Sequence, residues 1–257
     1  MKKLTALTLA AALCLSLTAC GKGPKEEAVE LHVFAAASLT ESMTAIAESY
    51  QSVAPNVTFV CNFDSSGTLK TQIEEGAACD LFLSAAQKQM NELGEGGYLE
   101  EDTRVDLLEN QVVLAVPQGN PAGVASFEDI VTGKVSLVAL GNADVPVGQY
   151  SQELFTAMGL WDQVSGKATF GSNVKEVTTW VGDGVVDCGV VYATDARSAG
   201  LEAVAVADPA LLSSQVVYPA AVLKNSPHAQ AAKDFLTYLQ GEDASAAFEA
   251  VGFSMAQ

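Results

Sequence analysis

Short apolar runs alternate with helical stripes from residue 31 onward. Residues 31–34 form an apolar run of strand length, which passes through Ala35, Ala36 and Ala37 to Ser38. Beyond it, Leu39, Met43, Ile46 and Tyr50 fall on one helical face. Ser38 and Glu41 stand at capping-box spacing, which predicts a helix capped by the serine and ended before Pro55. Residues 57–63 predict a second strand and 64–68 a hydroxyl-rich turn. A short helix follows, with Leu69 and Ile73 inward and Gly76 as its stop. Residues 80–84 read as a third strand, and 87–93 as a helix closed by Gly94.

The pattern then repeats. Strands are predicted at 112–116, 136–140, 168–170, 185–192 and 204–206, with a short helix from Ser126 and a longer one over about 149–158. Asn173 and Glu176 give a second cap spacing, ahead of the stripe Val174, Val177 and Val181. Residues 216–223 form a strand containing Pro219, which predicts an edge or crossover position. Helices at 229–239 and 244–251 follow. Strands alternating with helices predict an α/β fold with mixed, mostly parallel sheets. We read two similar lobes, the second inserted in the first: lobe I at 29–113 plus 219–257, lobe II at 114–218. Two crossing strands, near Leu114 and Tyr218, make a hinge, and the cleft between lobes is a usual place for a small ligand.

The N-terminus reads as targeting sequence rather than fold. Lys2 and Lys3 precede an apolar stretch too short to span a bilayer, and Leu17-Thr18-Ala19-Cys20 resembles the site at which bacterial prolipoproteins are cleaved and lipidated. The expectation is a signal peptide at 1–19 and a lipidated tether at 20–28. The mature chain would then be anchored through Cys20 on the outer face of the cytoplasmic membrane, or periplasmic.

Composition narrows the classes. Hydrophobic residues make up 49% of 257 residues, enough for a sizeable core without metals or disulfides. The formal charge of −18, with no basic run in the body, argues against nucleic acid. Cys61, Cys79 and Cys188 match no zinc or CxxC spacing and sit in or beside apolar runs, so free buried thiols are expected, although a Cys61–Cys79 bridge is compatible with an oxidising compartment.

Four predicted strand-to-helix turns, around Ser38, Ser66, Val147 and Val174, offer small or hydroxylic residues and backbone N–H groups at helix starts. Tyr192 closes a strand and adds a phenolic donor. None of the five is charged, and the turns hold no histidine or arginine. Such a site suits a small, fully ionised tetrahedral oxyanion held by oriented dipoles. A serine hydrolase would need a positioned base, and only His32 and His228 exist. A metal-cation receptor would need a cluster of His, Asp or Glu at these turns, which is missing.

FAAASLTESM at 34–43, FDSSGTL at 63–69, GAACDLFLSA at 76–85, VPVGQY at 145–150, GVVYATD at 189–195 and VYPAAV at 217–222 occur in the order found in the molybdate-binding solute receptors of ABC importers. The chain resembles that family from about Leu31 to Phe253. The resemblance implies a type II periplasmic-binding-protein fold that closes on ligand. Carried over position by position, it implies ligand contacts from Ser38, Ser66, Val147, Val174 and Tyr192. It further implies molybdate or tungstate as ligand, a permease partner, a monomer, and no catalytic residue, cofactor or direct metal ligand. Sulfate or another tetrahedral oxyanion is the alternative, and only cavity size separates sulfate from molybdate. The chain departs from the family pattern at Val147, usually alanine; at Gly67, where serine is common; at Asn173, often aspartate; and at Asp64, whose carboxylate would repel an anion unless paired or turned away.

Overall fold

The computed structural model describes residues 27–257. The leader, Cys20 and the tether up to residue 26 lie outside the described residues. The chain opens with β1 (Val29–Ala36), α1 (Thr40–Tyr50), β2 (Val57–Asp64), α2 (Ser66–Glu74), β3 (Leu81–Leu83), α3 (Gln87–Glu95) and β4 (Val105–Glu109). It continues with β5 (Val112–Val116), β6 (Val138–Gly141), α4 (Pro146–Ala157), α5 (Trp161–Ser165), β7 (Ala168–Gly171), α6 (Val174–Gly182), β8 (Cys188–Tyr192), α7 (Ala193–Ser198) and β9 (Glu202–Val206). It returns through β10 (Val217–Val222), α8 (Ala229–Leu239), α9 (Glu242–Val251) and β11 (Ser254–Met255).

The strands make two sheets, ordered β11-β4-β10-β3-β1-β2 and β7-β6-β8-β5-β9, each the centre of one lobe. β1 runs parallel to β2 and β3, and β6 runs parallel to β7 and β8. In each sheet the strand arriving from the other lobe is reversed. β10 is antiparallel to β3 and β4, and β5 is antiparallel to β8 and β9. The chain passes between sheets through Asn110 and Gln111, and back between Val206 and Val217.

Register brings the turns together. β1 pairs with β2 along its whole length, from Val29 opposite Val57 to Ala36 opposite Asp64. Ala35 lies opposite Leu83 of β3. The turns that leave β1, β2 and β3 therefore emerge side by side at one sheet edge, as parallel strands require. In the other lobe Gly141 pairs with Gly171, so the β6–α4 and β7–α6 turns are neighbours.

The cores explain why these segments fold. Leu39, Met43, Ile46 and Tyr50 are all buried, as the stripe predicts. Tyr50, Phe59 and Phe235 pack with ring centroids 4.9 and 4.6 Å apart, which fastens α8 onto α1 and β2. β5 and β8 are buried at every residue, as strands covered on both faces must be.

Several local expectations fail for identifiable reasons. Ser38 does not cap α1. A 3-10 turn, Ala37–Leu39, intervenes, Leu39 takes the cap position, and no side chain bonds the helix start. Of the two positions expected for Pro219, the edge fails and the crossover holds: β10 is interior and is the strand that crosses back from the other sheet, and a register shift between Tyr218 and Pro219 absorbs the missing donor. The helix expected from 149 begins at Pro146, whose fixed φ suits a first turn. α3 runs past Gly94, and the left-handed turn is made by Gly97 at φ +74. β8 starts at Cys188; Val185, three residues before it, is exposed. β4, α5, α7 and β11 have no counterpart in the sequence reading.

Candidate ligand-binding site

The two sheet edges face each other across a small cavity, lined by Ala36–Ser38, Asp64–Ser66, Ala85, Val145, Pro146, Val174 and Tyr192. Four of the five candidate residues thus line one space drawn from both lobes. Val147 does not line it: Val145 and Pro146 do, while Val147 is fully buried as the second residue of α4.

Each hydroxyl is held by a neighbour. Ser38 Oγ lies 2.9 Å from the Tyr218 hydroxyl. Asn110 Nδ2 donates to that same hydroxyl at 3.2 Å and to Thr194 Oγ1 at 2.9 Å. A phenol accepting from Asn110 can donate its own proton to Ser38, which leaves the serine proton free for the cavity. Asn110 is itself a residue of the crossing between sheets, so this relay ties the hinge to the site. Ser66 Oγ accepts from the Ala85 N–H at 2.9 Å, so its proton is also available. Ser65, not Ser66, caps α2, accepting from Thr68 N at 3.1 Å. Ser66 is therefore the first residue of the helix, where backbone N–H groups lack helical partners.

Tyr192 is 1% exposed and donates to the Ala85 carbonyl across the cleft at 3.2 Å. Burial drives the Tyr192 and Tyr218 phenols well above their ordinary range, so both remain neutral donors. Val174 opens α6, with Asn173 as its cap; Asn173 Oδ1 accepts from Glu176 N at 3.1 Å.

Asp64 faces this cavity as a paired group. Its Oδ1 accepts from Ser65 N at 2.7 Å and from Asn173 Nδ2, on the other lobe, at 3.3 Å. The asparagine that stands where the resemblance expects aspartate thus supplies a donor to the carboxylate that departs from the pattern.

One cation does stand beside the site, at the residue after Val174. Lys175 Nζ is 2.8 Å from both Glu41 oxygens, across the cleft, and 3.1 Å from Asp195 Oδ1. Its charge is committed to two carboxylates. Burial opposes the ammonium, but Asp195 and Glu41 outweigh it and raise its pKa. Asp195 is fully buried, and its carboxyl is raised to about 6 by burial, with Lys175 only partly offsetting this. The sequence reading missed Tyr218, Asn110, Lys175 and Asp195. A tyrosine in an otherwise apolar strand, and an aspartate just after a buried one, were the available signals.

Neither histidine serves the site. Ser38 and Ser66 are bonded to Tyr218 and Ala85, while His32 Nε2 lies 3.3 Å from Glu30 and His228 precedes α8. Cys61, Cys79 and Cys188 are free thiols. Among the described residues no group of three or more His, Cys, Asp or Glu is placed to hold a metal ion.

Comparison with known proteins gives one consistent relationship. Residues 31–254 match the family described as bacterial extracellular solute-binding protein. Molybdate-binding protein ModA of Haemophilus influenzae is 36% identical over 262 residues, covering 99% of each chain. Its namesake in Escherichia coli is 34% identical, covering 97% of this chain and 98% of its own. In fold, the periplasmic molybdate-binding protein of Azotobacter vinelandii superposes with a TM-score of 0.78 at 20% identity, over 88% of this chain and 100% of its own.

Proposed function

The chain belongs to the bacterial extracellular solute-binding proteins, and from that premise we propose that it captures molybdate or tungstate between its lobes and delivers it to the permease of an ABC importer. The observation that carries this is the cavity itself. Hydroxyls of Ser38 and Ser66, and the starts of α2, α4 and α6, converge from two lobes on one small space. We assign the ligand contacts to the four candidate residues that line the cavity, Ser38, Ser66, Val174 and Tyr192. Tyr192 would exchange its bond to Ala85 for one to the ligand.

Uncharged donors suit a dianion that must be released again. Each hydrogen bond to a charged group contributes roughly 1.5–3 kcal/mol, and the low-dielectric cavity strengthens all of them together. Polar contacts across the cleft, such as Tyr192 to Ala85 and Asn173 to Asp64, can be exchanged for water on opening. The two crossings, at Asn110–Gln111 and between Val206 and Val217, act as the hinge. In this reading the chain works as a binding protein rather than an enzyme, in keeping with its solute-binding family. Lipid anchoring at Cys20 and a monomeric state complete this reading.

A second reading has one observation in its favour. Asp64 is an acceptor on the cavity wall, and an acceptor suits a protonated oxyanion such as hydrogen phosphate. Calorimetric titration of the soluble chain with molybdate, tungstate, sulfate and phosphate separates the two. Tight binding and thermal stabilisation by molybdate or tungstate are expected; a larger effect of phosphate or sulfate would overturn the assignment.

A further inference from the structure

Gly67 is the second residue of α2, on the lobe of the six-stranded sheet. Its N–H donates to the Asp144 carbonyl of the opposite lobe at 3.0 Å, a backbone bond spanning the cleft. A Cβ built on Gly67 would lie 2.9 Å from Asp144 Cα and Cβ, and closer still to the carbonyl oxygen. Real Cβ atoms do not approach backbone so closely, so something would have to move.

Asp144 cannot easily retreat. Its own N–H donates to Asn142 Oδ1 at 2.9 Å, and the neighbouring Ala143 carbonyl accepts from Gln149 Nε2 at 2.7 Å. Asn142 N bonds Gly171 O at 2.9 Å, and Val145 N bonds Asn142 O at 3.1 Å. The turn is pinned to its own lobe at both ends. Gly67 itself has ordinary helical backbone, and its clash partners all belong to the other lobe. A side chain at this position is therefore compatible with each lobe alone and incompatible with the approach that this chain's Asp144 turn makes; the serine common here in the resembling family would need that facing turn placed farther away.

We propose that the missing side chain of Gly67 sets how far the cleft closes, making it a positioning residue for ligand retention. This rests on the reading of the cleft as an anion trap. Gly67→Ala costs the open form nothing, since alanine is the better helix former. It opposes only the closed form, so the effect falls on release rather than capture.

The test compares wild type, Gly67→Ala and Gly166→Ala, the last at a helix end where a Cβ meets only ordinary contacts, 3.5 Å or longer. Molybdate titration and stopped-flow kinetics are read beside ligand-free melting and small-angle scattering. Gly67→Ala is expected to weaken binding about tenfold to a hundredfold, or about 1.4–2.8 kcal/mol. The loss should appear as faster release, with a ligand-free melting point equal to or above wild type and Gly166→Ala unchanged. Unchanged affinity, or a ligand-free melting point that falls with the affinity, overturns the inference while leaving the function standing. If wild type binds no oxyanion, the function falls, and scattering decides the inference: a more expanded Gly67→Ala chain supports it, and equal profiles overturn it.

Discussion

Asp195→Asn isolates the cost of one buried charge. Asp195 is 1% exposed, and neither carboxylate oxygen has a hydrogen bond within the protein; Lys175 lies at ion-pair distance from one of them. Burial lifts the carboxyl from its ordinary 3.8 to about 6 in the folded chain. Between those values the folded state holds a proton that the unfolded state has released. Stability therefore falls as pH rises through this window and levels off above it. At 1.36 kcal/mol per tenfold change in proton affinity, the loss is about 3 kcal/mol. Asparagine keeps the shape and does not ionise. Lys175 would retain Glu41 and stays partly open to solvent, so it is not left as an isolated buried charge; the exposed part of that pairing is worth roughly 0–1 kcal/mol. Urea unfolding followed by circular dichroism should find the variant close to wild type near about pH 4 and more stable by up to about 3 kcal/mol near about pH 8. A variant that is less stable at the higher pH, or a difference that does not change with pH, would show that the Lys175 pair outweighs burial.

Three further expectations follow from the same contacts. Ser38→Ala should weaken anion binding by roughly 1.5–3 kcal/mol in calorimetry, because it removes a donor to a charged ligand. Asn173→Ala removes both the cap of α6 and the partner of Asp64; it should cost about 1 kcal/mol in chemical unfolding and also weaken anion binding, since the carboxylate loses its donor from the other lobe. The thiols of Cys79 and Cys188 are buried, with the Cys188 thiol pushed up to about 12 by burial. Ellman's reagent at neutral pH should leave both unmodified in the folded chain and titrate them only after unfolding.

The periodicities were sufficient for most elements because burial imposes them directly. The stripe Val174, Val177 and Val181 and the run ending at Tyr192 have one face or both faces against a core, and their patterns say so. β4 and α7 escaped because their cues are mixed. Val105–Glu109 carries acids at its second and last positions, and α7 is only six residues long, packed directly behind Tyr192. Ser38 misled through a spacing that suits a cap. Whether a serine caps or turns into a cleft depends on the backbone just before it, and here a 3-10 turn redirects it.

The sequence by itself determined that strands would end in small, hydroxylic turns at helix starts, and that none of those turns would offer a histidine or arginine. These are local properties, set by residue type and spacing. Only the tertiary structure decided what each group does. Full-length pairing of β1 with β2 places Ser38 beside Ser66, and the reversed strands β5 and β10 bring the second lobe over them. Tyr218 and Asn110 then orient Ser38, Asn173 quiets Asp64, and Lys175 is taken up by Glu41 and Asp195. Those partners lie 60 or more residues apart in every case but the last, and contact at such separation is decided by how two sheets dock, which no local pattern records.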